Sequence, residues 1–108
     1  MDNLMVLGIP SHLRGFIYII EIIDYILVNN ISKIKFNDGI YRLIANKYNI
    51  SEDSIERDIR YAIEVGYSRT ILNINDDYFK NTISYNKNKP TNKQFIITVL
   101  NKVREELN

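Results

Sequence analysis

Apolar residues in this chain recur mostly at intervals of three and four, and few segments alternate strictly, which is the periodicity of helices. The longest run, GFIYIIEIIDYILV, puts Phe16, Ile19, Ile20, Ile23 and Leu27 on one stripe, widened by Ile17, Ile22 and Ile26. Ser11, after Pro10, stands where an N-cap would. A helix apolar on most sides belongs at the centre of a fold, although its β-branched content leaves a strand as the competing assignment. Residues 29–39, NNISKIKFNDG, combine turn formers with a short alternation, so a loop or short helix is expected, with a hairpin as the alternative.

Two amphipathic segments follow. In IYRLIANKYN, residues 40–49, Ile40, Leu43, Ile44 and Tyr48 share a face, and Ala45 leaves room for a neighbour. In ISEDSIERDIRYAIEVGYSR, Ser51 is placed as an N-cap, with Glu52 and Asp53 in the first turn where the helix dipole favours acid. The two predicted helices, about nine and 14 residues long and about three residues apart, have helix-turn-helix spacing. Asn49 is among the non-glycine residues that best tolerate the left-handed conformation a tight turn needs. Beyond Gly66, Asn73 or Asn75 would cap a short helix holding Tyr78 and Phe79, and YNKNKP, residues 85–90, reads as a polar basic loop. Thr91 and Gln94 form a capping box ahead of a last helix with Phe95, Val99, Leu100 and Val103 inward.

Composition narrows the class. A chain of 108 residues, 45% apolar and 25% charged, is one ordinary globular domain. The absence of cysteine removes disulfides, thiolate metal sites and cysteine nucleophiles, and suits a reducing cytoplasm. The apolar run is interrupted by Glu21 and Asp24 and falls short of the roughly 20 residues a membrane span needs, so no membrane partner is expected. The N-terminus carries acid where a signal peptide would carry base. A net charge of +1 leaves the choice of partner to local arrangement.

Enzymatic chemistry finds little to work with. His12 has no carboxylate or thiol placed beside it by spacing, and capping, packing or phosphate contact suits it better than catalysis. The glycines, at 8, 15, 39 and 66, form neither a dinucleotide nor a phosphate-loop fingerprint. Asp76-Asp77 lacks the spaced ligands of a calcium loop, and Glu21 with Asp24 look like the exposed side of an apolar helix. No cofactor or metal is expected.

Placed at about 100° per residue, Ile55, Ile59, Ala62, Ile63 and Gly66 form one wall of the 52–66 helix, while Arg57, Tyr61, Glu64 and Ser68 lie opposite, flanked by Arg60 and Ser54. Asp53 with Arg57, Glu56 with Arg60, and Arg60 with Glu64 are i,i+4 pairs worth only about 0.2–0.5 kcal/mol each, so the outer face is either a solvated ion-pair surface or one that a partner can recruit. An arginine on such a face can bind guanine O6 and N7 in a major groove. Arg57 is the central candidate for base reading, Arg60 could reach a base or a phosphate, and Glu56 could accept from cytosine N4 or hold Arg60. Ser54, Tyr61, Arg69, Arg14 and Lys47, with a second basic cluster of Lys87, Lys89 and Lys93, are candidates for the sugar-phosphate backbone.

At these residues the chain resembles the C-terminal DNA-binding effector domain of the stage zero sporulation protein A, a sporulation response regulator. The resemblance rests on LGIPSHLRGFIYIIEII at 7–23, IANKYN at 44–49, SIERDIRYAIEVGYSR at 54–69 and NKPTNKQFI at 88–96, and covers nearly the whole chain. It implies an all-α, compact bundle of about six helices containing a helix-turn-helix whose second helix enters the major groove of promoter DNA. It also implies self-association on repeated sites and contact with RNA polymerase. The core pattern carries base reading to Glu56, Arg57 and Arg60, while Pro10, His12, Arg14 and Gly15, and Asn88 to Asn92, match outer segments that support the fold. Ser54 stands where the family commonly has a basic residue, Asp58 replaces a small neutral one, and Asp53 adds acid near the expected DNA face. The receiver domain that precedes this domain in the family is not in the 108 residues, and Met1 tilts the expectation toward a freestanding relative. The sequence thus predicts a cytoplasmic transcription regulator, with a protein-interaction module or non-activating competitor of weakened DNA affinity as the alternative.

Overall fold

A computed structural model describes residue 9, residues 11–70 and residues 90–107. Its described part is all-α: helix α1 (Arg14–Val28), a single π-type turn (Phe36–Ile40), α2 (Tyr41–Tyr48), α3 (Glu52–Thr70) and α4 (Asn92–Leu107). The expected bundle of about six helices is therefore corrected to four α-helices with no strand among the described residues. Part of the difference is physical. The 29–39 segment forms no hairpin but the expected loop, which ends in the π-type turn; Ile40 N–H reaches back to the Lys35 carbonyl at 2.9 Å, and the turn runs directly into α2 instead of standing as a separate helix. The helix expected around Tyr78 and Phe79 lies outside the described residues.

Helix α1 is the central element, packed most extensively on α3 and touching α2 and α4. Its buried stripe is Phe16, Tyr18, Ile19, Ile22, Ile23 and Ile26, whereas Ile17 is 44% exposed and Ile20 and Leu27 sit at the margin of the core. The strand alternative fails because residues at three- and four-residue spacing, not alternate ones, meet the neighbours. Ser11 does not cap α1; the cap position is Leu13, which offers no side-chain hydrogen bond. Gly15 is required in this first turn, since a Cβ there would fall 2.2 Å from the Asp58 carbonyl oxygen and 2.7 Å from Ala62 Cβ. That absence of a side chain brings the start of α1 against the backbone of α3.

The connection from α2 to α3 is as short as its composition suggests. Asn49 adopts φ 57°, ψ 47°, and Ile50 N–H closes on the Ala45 carbonyl at 3.0 Å, which terminates α2 in a left-handed cap. Ser51 Oγ then accepts from Ser54 N–H at 3.1 Å and starts α3. Ile55, Ile59, Ala62 and Ile63 are at most 1% exposed, so the predicted apolar wall is the face that packs. Gly66 is buried on the same wall, and α3 continues through it to Thr70 rather than ending near residue 66. Thr91 and Gln94 form both bonds of the capping box, at 3.1 and 3.0 Å, and α4 buries Phe95, Ile96, Val99 and Leu100. Pro90, expected in a polar loop, is buried at the foot of α4.

Candidate nucleic-acid interface

With its inner wall fully buried, α3 turns Arg57, Arg60 and Tyr61 to solvent, Tyr61 being 57% exposed. These residues lie within the first half of a helix fixed at its N-terminus by Ser51. The Ser51 hydroxyl also donates to Ser54 Oγ at 3.0 Å, and Arg57 Nη2 donates to that same Ser54 oxygen at 3.4 Å. Arg57 forms no ion pair among the described residues, and the expected Asp53–Arg57 pair is not made. Its guanidinium is held by one long hydrogen bond on an exposed surface, which a stronger acceptor can replace.

Arg60 is differently placed. Its Nη1 donates to both Glu56 carboxylate oxygens, at 2.5 and 2.8 Å, closing the predicted i,i+4 pair. About half of the Arg60 side chain remains exposed, at 49%, so the pair is a surface unit whose intrinsic worth is small. Glu56 and Arg60 therefore present an acceptor and a donor set together, beside the separately offered Arg57.

Not every candidate cation belongs to this face in the same way. Lys47 donates through Nζ to the Glu21 carboxylate, which also accepts from Tyr48 Oη, so α2 is clasped to α1 by one acid. Glu21 was expected to be a solvated acid without a partner; it is the acceptor of this clasp. Burial pushes the Glu21 carboxyl up, but the bonds from Lys47 and Tyr48 and the Lys47 charge outweigh it and hold the group below its ordinary value. The Glu21 hydrogen bond, followed by burial, raises the Tyr48 phenol to about 12. The Tyr48 ring also packs edge-on to Tyr18, with centroids 5.2 Å apart.

Arg14, in the first turn of α1, shares a shallow hollow with Leu13, Gly15, Asp58 and Tyr61, and so stands beside the exposed face of α3. Asp58 faces this junction and not the line of Arg57. Burial, and next the Asp58 carboxylate, push the Tyr18 phenol up, while Arg14 acts in the opposite direction. The Asp58 carboxylate thus lies beside Arg14 at the start of α1. Lys93 is exposed in the first turn of α4. Arg69 lies in the last turn of α3, whereas Lys87 and Lys89 are outside the described residues.

One contact had no expectation attached to it. Asn92, immediately after the Thr91 cap, donates through Nδ2 to the Glu56 backbone carbonyl at 3.0 Å and to Tyr41 Oη at 3.4 Å. The sequence signal was the capping box, which fixes the first turn of α4 but does not say where its side chains point. Burial and then the Glu56 charge push the Tyr41 phenol up, against the Asn92 hydrogen bond that lowers it. Arg42 of α2 pairs with Glu52 at the start of α3, at 3.2 Å. Both contacts fix α3 relative to its neighbours.

Among the described residues no cluster of three histidine, cysteine, aspartate or glutamate side chains could hold a metal, and no helix is long and apolar enough to cross a membrane. Compared with known families, the chain matches the one described as "Sporulation initiation factor Spo0A C terminal" over residues 1–103. With nearly its whole length matched, the chain belongs to the Spo0A C-terminal family.

Proposed function

We propose that the protein is a sequence-specific, non-catalytic transcription regulator related to sporulation control, with α2 and α3 acting as a helix-turn-helix and α3 entering the major groove of promoter DNA. The observation that carries this reading is Arg57: exposed, without an ion pair among the described residues, on the outer face of a helix whose inner face is buried. Arg57 reads a base, and Glu56 with Arg60 form a second reading unit that opens or docks as a pair. Ser54, Tyr61, Arg14 and Lys93 flank them as backbone contacts, joined by Arg69, Lys87 and Lys89 from the remaining candidates. Family membership supports double-stranded DNA as the partner, and self-association on tandem sites and RNA polymerase contact extend that reading. The same reading makes residues 1–108 one effector domain acting at the nucleoid in the cytoplasm.

A salt titration of binding to promoter-derived and scrambled duplexes tests the proposal. It predicts tighter binding to a preferred duplex at every salt concentration, with both affinities falling as salt rises. Equal affinity for all duplexes, or no binding at low salt, overturns it.

A second reading has its own support: Lys47 is clasped to Glu21, Arg60 to Glu56, and Asp58 lies beside Arg14. A domain with two candidate cations already ion-paired and an acid beside a third fits a non-activating competitor or a protein-interaction module. Site occupancy without promoter output distinguishes the competitor; a stable protein partner together with absent DNA binding distinguishes the module.

A further inference from the structure

We infer that Asn92 is a positioning residue for DNA reading: from outside the proposed helix-turn-helix it sets the placement of the α3 turn that carries Glu56, Arg57 and Arg60. The inference rests on the DNA-binding reading and names a residue that this reading does not require. A carbonyl oxygen can only accept, so the Asn92 amide nitrogen, not its oxygen, must face Glu56. The same nitrogen reaches Tyr41 Oη, so one amide spans the starts of α4 and α2 and the reading turn of α3. Tyr41 is itself fixed, 4% exposed and packed edge-on to Phe36 at 5.5 Å between centroids. The reciprocal Thr91–Gln94 cap holds the backbone from which Asn92 projects.

The position of this contact matters more than its strength. The Glu56 carbonyl lies in the reading turn, and the Glu56 side chain holds Arg60. A bidentate contact to a base tolerates little displacement, so a shift of this turn affects base reading before it affects phosphate contacts, which are sequence-blind. Core burial of Ile55 and Ile59 seats α3 against the bundle, but apolar contact is non-directional and leaves small rotations and slides available. A directional hydrogen bond from a capped helix restricts them.

Asn92→Asp is the informative substitution. It removes the donors while placing an acid in the first helical turn, where the dipole favours it, so the fold is expected to survive. The probes are the duplex most enriched by the wild-type protein from a random pool and a shuffled duplex of the same composition. Taking the ratio of the two affinities cancels the uniform repulsion that a new acid exerts on any DNA.

The expected result is a melting temperature close to wild type and a roughly fivefold to tenfold fall in the selected-to-shuffled ratio, at the lower end of what one reading contact supplies. Tyr41→Phe, which keeps the bond to Glu56, is expected to keep the ratio. An unchanged ratio in N92D overturns the assignment and leaves Asn92 a brace of the fold. An equal loss of ratio in Y41F does the same, because the Glu56 bond would then not be the determinant. Should N92D unfold, N92S supplies the measurement: its shorter donor is expected to give a partial loss of ratio in a folded protein, and a full wild-type ratio overturns the assignment. Failure of the wild-type protein to enrich any sequence is a distinct result, which overturns the DNA-binding reading and this inference with it.

Discussion

Arg57 and Arg60 illustrate how two similar side chains on one helix acquire different chemistry from their neighbours. Arg60 has a carboxylate one turn back and closes on it, whereas Arg57 rests on the Ser54 hydroxyl at 3.4 Å. Arg57→Ala is therefore expected to reduce discrimination between preferred and mismatched duplexes by about 1–3 kcal/mol while leaving the melting temperature nearly unchanged, as measured by anisotropy and thermal unfolding. Lys47 provides the contrast. Its charge serves Glu21, so Lys47→Ala is expected to lower stability by up to about 1 kcal/mol, the scale of a surface ion pair. The salt dependence of DNA binding should be preserved in that variant; a slope reduced by about one counterion would instead make Lys47 a phosphate contact.

The same clasp sets a pH dependence. Glu21 has a folded-state pKa below its ordinary 4.5, so the stability it contributes is fully present above that value and is lost as pH falls through the lowered folded value. Tyr48 is raised from 10.0 to about 12, so its contribution is present below 10.0 and lost as pH climbs toward about 12. Denaturant melts of wild type and Glu21→Gln should differ at neutral pH and converge at both extremes. A constant difference across the range would mean that the clasp contributes nothing to either limb.

Among the elements, α3 was the most legible in the sequence because its inner and outer faces differ sharply in polarity. The wall from Ile55 to Gly66 and the Ser51 cap followed from spacing and side-chain chemistry alone. Its far end did not, because a buried glycine that packs and a glycine that ends a helix look the same in one dimension. α1 was less legible for a related reason: with isoleucine on nearly every side, periodicity cannot tell the core stripe from Ile17, and only the positions of α3 and α4 decide it. The Gly15 crossing follows from the same junction. Gly15→Ala forces the α1 backbone away from the Asp58 carbonyl, and the overpacking is expected to cost about 1–3 kcal/mol, read as a lower midpoint in urea unfolding.

At the scale of the molecule, the all-α class of the described residues was readable from the apolar period, while their helix count was not. The π-type turn at Phe36–Ile40 merges with α2 because its backbone bond reaches five residues back, a detail of geometry that turn-forming residues do not encode. The candidate site divides along the same line. Exposure of Arg57 and the Glu56–Arg60 pair follow from helical angles, whereas the Glu21 clasp and the Asn92 bridge join residues 26 to 51 positions apart and exist only once the helices are packed. One pairs Lys47 with Glu21 between α1 and α2, and the other ties the Glu56 turn of α3 to a helix from the far end of the chain.

The central claim is that α3 reads sequence through its outer face, and enrichment of binding sites from a random duplex pool by wild-type protein and by Arg57→Ala tests it most directly. The account predicts that wild type enriches a defined motif and that the variant, folded to the same extent, retains the motif except for lost preference at one guanine. An identical motif from both proteins, or no motif from wild type, would contradict it.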